Sequence, residues 1–156
     1  MSSFVCGYIE PILSENKLSN LSDCIKDSQL GIEKISKDWL INYPDYLIPN
    51  DNIFTFLIGD VPGYPNSTYL TSYDEYAPNI DIGFPTDPKE RLDILINTLI
   101  DMIKITHASK MVVSINECDQ IQTIKKIKFA EMRDVIHADF AKYQAPPDTL
   151  YEIICE

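Results

Sequence analysis

Four short apolar runs along the chain predict buried β-strands. Each is rich in β-branched and aromatic residues, a composition typical of strands. The runs are FVCGYI at residues 4–9, IFTFLI at 53–58, KMVVSI at 110–115 and TLYEIIC at 149–155. NIDIGF at residues 79–84 is expected to add a short strand at the edge of the sheet.

Segments with apolar residues three and four positions apart predict helices between these runs. The clearest begins at Asp87, which suits the N-cap, while Pro88 suits the first helical position and Glu90 completes a capping box. Ser14 is the expected cap of an earlier helix. Helical patterns also cover residues 14–26, 32–41 and 130–143. Residues 123–129, where lysines alternate imperfectly with apolar residues, are assigned to neither class.

Helices that alternate with strands predict a layered α/β domain, in which a mixed sheet of four to five strands carries helices packed on it. An α+β arrangement stays open, because several strand orders fit this pattern. The 156 residues match one domain spanning residues 1–156, without repeats or a linker. We expect Trp39, Phe54 and Phe56 to lie in its core.

Acidic side chains outnumber basic ones, 24 to 13, which gives a net charge of −11. Such a surface repels nucleic-acid phosphates and anionic lipid headgroups, so direct binding to nucleic acid or to a membrane is not expected. It attracts basic proteins and speeds their association. The alternative is that the charge serves only solubility.

The acidic charge is concentrated in one part of the chain. From Asp38 to Pro88 there is no Lys, Arg or His, whereas there are eight acids and ten of the sixteen aromatic residues. Residues 1–88 carry 13 acids and 4 bases, while residues 89–156 carry 11 acids and 9 bases. Solubility alone does not require this distribution. We refer to the segment from Asp38 to Pro88 as the base-free stretch.

The centre of the base-free stretch reads GYPNSTYLTSYDEYAP, residues 63–78. Tyrosine buries a large rigid ring at small entropic cost and keeps a hydroxyl for hydrogen bonding, so it is enriched at protein interfaces. Neighbouring acids supply charge-assisted bonds to Lys and Arg of a partner. The alternative for the four rings is packing within the fold. The predicted partner-binding residues are Asp60, Tyr64, Tyr69, Tyr73, Asp74, Glu75, Tyr76 and Asp81.

The four cysteines, Cys6, Cys24, Cys118 and Cys155, lie far apart, and the two histidines are also separated. This spacing predicts no metal site, and no motif predicts a cofactor. Neither a signal peptide nor a membrane span is visible in the sequence. We therefore expect a cytoplasmic protein whose thiols are reduced and mostly buried.

Two groups of residues are candidates for chemistry or charge pairing. Glu117 and Cys118 follow a predicted strand, and with His107 or His137 they would form the site of a small cytosolic α/β enzyme. On the last helix, Glu131, Asp134 and His137 are too dispersed for a metal site, although Asp134 and His137 are close enough to interact. Lys125, Lys126 and Lys128 form a basic patch, expected at a solvated edge or in a self-association contact.

The chain is small and acidic, and it combines the base-free stretch and its Tyr64–Tyr76 cluster with the lack of a catalytic motif. In these features it resembles the immunity proteins of bacterial toxin systems, such as contact-dependent growth inhibition. The resemblance lies in size, acidity and the absence of catalytic signatures. It implies a non-catalytic inhibitor that binds a cognate toxin, often a basic nuclease, at or beside its active site. Acidic side chains would then stand where substrate phosphates lie. An acidic adaptor subunit is the third interpretation.

Overall fold

The computed structural model describes residues 4–59, 61–64, 68–71, 84–115 and 121–155, and of residues 68 and 69 only the backbone. Within these residues, six strands form one sheet in the order β2-β3-β1-β4-β6-β5. The strands are β1 Val5–Glu10, β2 Ile32–Lys34, β3 Phe54–Ile58, β4 Lys110–Ser114, β5 Thr123–Lys128 and β6 Thr149–Ile154. The helices are α1 Glu15–Asp27, α2 Thr68–Thr71, α3 Pro88–Thr106 and α4 Met132–Tyr143.

The sheet is mixed, and β5 with β6 is its parallel pair among the described strands, the other pairs being antiparallel. The arrangement is therefore α+β, the class left open above, rather than α/β. Gly7 lies in β1 where the sheet permits no side chain, since a Cβ there would lie 2.1 Å from the Val112 carbonyl oxygen. The four strands predicted from apolar runs are confirmed, but the described residues form six strands rather than four to five.

Two strands, β2 and β5, were not predicted from the sequence, and the reasons differ. Residues 32–41 were expected to be a helix, and this is wrong because Ile32 pairs with Ile58 and the segment continues as β2. Three residues are too few to show the alternation of a strand. The other is β5, an edge strand whose exposed lysines hide its period. NIDIGF at residues 79–84 lies outside the described residues except for Phe84, which is not in a strand.

The predicted helix starts are confirmed. Ser14 caps α1 and accepts a hydrogen bond from the Lys17 backbone N–H, while Asp87 caps α3 and accepts from that of Lys89. The apolar face of α3 is buried, as the periodicity predicts. Its fully or nearly fully buried apolar members are Leu92, Leu95, Ile96, Leu99, Met102 and Ile103. No described helix combines the length and the apolar character needed to span a membrane.

The main core lies between one face of the sheet and the helices. The long helix α3 contacts both α1 and α4, and its buried face packs with sheet residues such as Val5, Phe56 and Val113. Phe54 and Phe56 are both buried, as expected. Burying large apolar side chains here is the principal favourable contribution to folding.

Two polar networks join α4 to its neighbours. Asp139 accepts hydrogen bonds from Lys125 Nζ at 2.6 Å and from the buried Tyr151 hydroxyl at 2.7 Å, which ties α4 to β5 and β6. Asp93 of α3 lies 2.7 Å from both His137 Nε2 and Arg133 Nη1. His137 therefore pairs across helices with Asp93 rather than locally with Asp134, and Lys125 faces a buried acid rather than a solvated patch.

The opposite face of the sheet carries a second, smaller core. Residues 35–53, which we name the covering segment, cross this face and bury Leu40, Tyr43 and Leu47 against it. The sheet contributes Cys6, Tyr8, Val112 and Leu150 to the same cluster. The covering segment forms no long helix or strand and contains two short 3-10 helices, Lys37–Trp39 and Asp45–Leu47. The sheet is thus covered on both sides, but by elements of different kinds.

Candidate protein-binding surface

The outer side of the covering segment presents large apolar side chains to solvent. Tyr46 is 74% exposed, Ile41 73%, Trp39 56% and Ile48 39%. They account for four of the nine large apolar side chains that are exposed in the described residues. Contiguous exposed apolar area marks interaction surfaces, whereas single exposed apolar residues are common everywhere. Four such side chains within ten residues make the covering segment a candidate for such a surface. Trp39 was expected in the core, and this prediction is wrong.

Local hydrogen bonds fix which side chains of the covering segment point outward. The Ser36 hydroxyl accepts from the Asp38 backbone N–H and starts the first 3-10 helix, which Leu40 closes by donating to the Lys37 carbonyl. The Pro44 carbonyl accepts from Leu47 N in the second. Leu40 and Leu47 are buried at the ends of these turns, so the residues beside them face solvent.

Tyr43 anchors the middle of the covering segment to the sheet. Its hydroxyl donates to the Cys6 carbonyl oxygen at 2.7 Å, and its ring lies 6.5 Å from that of Tyr8. Burial, followed by the proximity of Tyr8, raises the pKa of Tyr43 far above its ordinary value, so the hydroxyl stays protonated and donates. The exposed side chains therefore stand on a backbone that is held at its centre.

Two carboxylates accompany the exposed rings. Asp38 precedes Trp39, Asp45 precedes Tyr46, and both acids are exposed. Among the described residues neither acid forms an ion pair, and the nearby Lys37 pairs with Asp51 at 3.4 Å instead. The surface thus combines apolar area with uncompensated negative charge, which suits a basic protein.

Most of the residues predicted to bind a partner lie outside the described part of the chain. These are Asp60, Tyr73, Asp74, Glu75, Tyr76 and Asp81. Tyr64 is described and is 40% exposed, while Tyr69 belongs to α2 but its side chain is not described. That these eight residues contact a partner stays a prediction.

Two residues anchor the tyrosine-rich centre, residues 63–78, to the main core, one within it and one that follows it. Leu70 and Phe84 are both buried there. The fully buried Arg91 donates to the carbonyl oxygens of Pro85 at 3.1 Å and Thr86 at 2.6 Å. Variants within the centre therefore require a check of folding alongside any binding measurement.

A second acidic surface lies on the helical side of the sheet. A groove of about 690 Å³ runs along α1 and α3, with Asp23, Asp27 and Asp101 on its walls and Ile94 among its apolar residues. None of the three acids forms an ion pair among the described residues. No aromatic side chain is among the described residues that line the groove. The groove also lies on the side of the sheet opposite to the covering segment.

Cys24 in this groove should be a slow nucleophile. Burial, then the Asp101 and Asp27 carboxylates, raises the pKa of the Cys24 thiol above its ordinary value, so less thiolate is present at neutral pH. Replacing both carboxylates by asparagine is expected to lower this pKa and to speed alkylation of Cys24 by iodoacetamide at pH 7. Peptide mass spectrometry over time measures the rate. An equal rate in the Asp27→Asn/Asp101→Asn variant and in an Asp134→Asn control would contradict this explanation.

No protein-family model, curated protein or solved structure matches the chain.

The enzymatic interpretation depends on thiols, histidines and acids, of which only some are described. The two free thiols, Cys24 and Cys155, both have pKa values raised chiefly by burial. His137 is engaged with Asp93, and no group of three or more His, Cys, Asp and Glu in the described part is arranged to hold a metal ion. Glu117 and Cys118 lie outside the described residues, so the enzymatic interpretation stays a prediction.

The cysteines also correct one expectation. Cys6 is disulfide-bonded, so the prediction of reduced thiols throughout is wrong, although it holds for Cys24 and Cys155. The spacing of the cysteines along the chain gives no sign of this bond. Cys6 lies beneath the covering segment, where its Sγ is 3.9 Å from the Tyr43 hydroxyl oxygen.

Proposed function

We propose that this chain is a non-catalytic inhibitor of the immunity-protein kind, which binds and neutralises a basic toxin. The observation that carries the proposal is the covering segment, which exposes Trp39, Ile41 and Tyr46 within the base-free stretch. Aromatic residues contribute most to the affinity of protein interfaces, while uncompensated acids speed encounter with a basic partner.

The expected partner is a basic nuclease toxin, of which the product of a neighbouring toxin gene is the first candidate. Binding at or beside its active site would place carboxylates where substrate phosphates bind. The proposed location is the cytoplasm, where such a toxin acts. The Cys6 disulfide counts against this location, because disulfides are rare in reducing compartments.

Mixing the purified chain with that toxin is expected to abolish nuclease activity at a one-to-one ratio. Reversing the charges with Asp74→Lys/Glu75→Lys should slow association and weaken its salt dependence, provided circular dichroism shows an unchanged fold. Unchanged association rates in this folded variant would show that the tyrosine-rich centre is not part of the interface. Tight binding that leaves the nuclease active would favour the adaptor interpretation instead.

A further inference from the structure

The covering segment repeats one local arrangement. Asp38 and Trp39 lie together in the 3-10 helix Lys37–Trp39, and Asp45 and Tyr46 lie together in the 3-10 helix Asp45–Leu47. In each case an exposed carboxylate directly precedes an exposed aromatic ring. In the described part of the chain no cation pairs with either acid, and the nearby Lys37 pairs with Asp51.

Adjacent residues that expose a carboxylate and an aromatic ring offer an arginine side chain two kinds of favourable contact. The arginine guanidinium is planar and weakly hydrated, so it stacks on a ring while donating two parallel hydrogen bonds to a carboxylate. The lysine ammonium is compact and strongly hydrated, and it loses more solvation in the same position. Two such aspartate–aromatic pairs, with Ile41 and Ile48 exposed nearby, should therefore bind arginine more tightly than lysine. Net charge alone would not distinguish these two side chains.

We propose that the covering segment binds an arginine-bearing surface of the protein partner, with a guanidinium at each aspartate–aromatic pair. This inference rests on the proposed function and names the chemistry that the partner must present. Asp38 and Asp45 accept from the guanidinium groups, and Trp39 and Tyr46 supply the rings. The isoleucines cover the apolar stems of the arginine side chains.

Two labelled peptides of equal length and charge test the inference, one carrying arginines and the other lysines in a Gly/Ser background. Fluorescence anisotropy at about 0.1 M salt measures their affinities for the intact chain. We expect the arginine peptide to bind about tenfold more tightly. The Trp39→Ala/Tyr46→Ala variant should bind the arginine peptide only as tightly as it binds the lysine peptide.

The acidic groove supplies a matched control for charge. Asp38→Asn/Asp45→Asn and Asp23→Asn/Asp27→Asn change the net charge equally, but only the first pair belongs to the covering segment. We expect the first variant to weaken binding of the arginine peptide at least fivefold and the second to change it less than twofold. Equal affinity for both peptides, equal losses in both variants, or no binding of either peptide would overturn the inference. Toxin neutralisation that persists in any of these cases would leave the proposed function standing.

Discussion

Replacing Asp139 with leucine is expected to lower the free energy of unfolding by about 2–3 kcal/mol. Asp139 is nearly buried and accepts from Lys125 and from the Tyr151 hydroxyl, which is itself inaccessible to solvent. The variant leaves that hydroxyl buried without its acceptor, whereas Lys125 can extend to water because it is more than a third exposed. Urea unfolding at pH 7, followed by circular dichroism, measures the loss.

Two variants show whether the hydroxyl is the cause. Asp134→Leu changes an exposed acid of the same helix, and its effect should stay within about 0.5 kcal/mol. Adding Tyr151→Phe to Asp139→Leu removes the stranded hydroxyl and should recover about 1 kcal/mol. If the double variant is no more stable than Asp139→Leu alone, lost packing rather than an unpaired hydroxyl explains the destabilisation.

Replacing both Trp39 and Tyr46 with alanine is expected to weaken toxin binding by at least a hundredfold. Truncating a central aromatic residue of an interface typically costs about 2 kcal/mol or more, and 1.4 kcal/mol corresponds to tenfold in affinity. Both side chains are more than half exposed, so stability should change by only about 0.5 kcal/mol. Isothermal titration calorimetry against the toxin measures the effect.

Tyr143→Ala is the matched control for exposure. Tyr143 is 57% exposed, which is close to the 56% of Trp39, but it lies at the end of α4 rather than in the covering segment. We expect the control to bind as the unchanged chain does. A Trp39→Ala/Tyr46→Ala variant that binds and neutralises like this control would exclude the covering segment as the interface.

The elements that could be predicted are those whose ends and buried faces are marked by neighbouring residues in the sequence. The α3 helix has a cap at Asp87, a proline at its first position and an uninterrupted apolar face, and all three follow from neighbouring residues. The strand β2 has no such signals, since its pairing with β3 depends on residues some twenty positions away. The α+β class likewise depends on strand order, which is set by contacts between distant segments.

The position of Trp39 shows why the candidate surface was only partly predictable. Its size and its helical spacing with Ile32 and Ile35 indicated a buried helical face, but residues 32–34 pair in the sheet and the chain then crosses to the opposite face. Leu40 fills the core beside it and leaves the tryptophan outside. The charge pattern was the better guide, because the base-free stretch begins at Asp38 and includes most of the covering segment.

The central claim is that the covering segment contacts the partner, and the single tryptophan of the chain tests it directly. Incorporating 5-fluorotryptophan gives one ¹⁹F resonance from Trp39, to which an unlabelled toxin adds nothing. We predict that this resonance shifts and that its difference between H₂O and D₂O disappears, with saturation at one equivalent of toxin. A stable one-to-one complex in which both the resonance and its solvent isotope difference stay unchanged would contradict the claim.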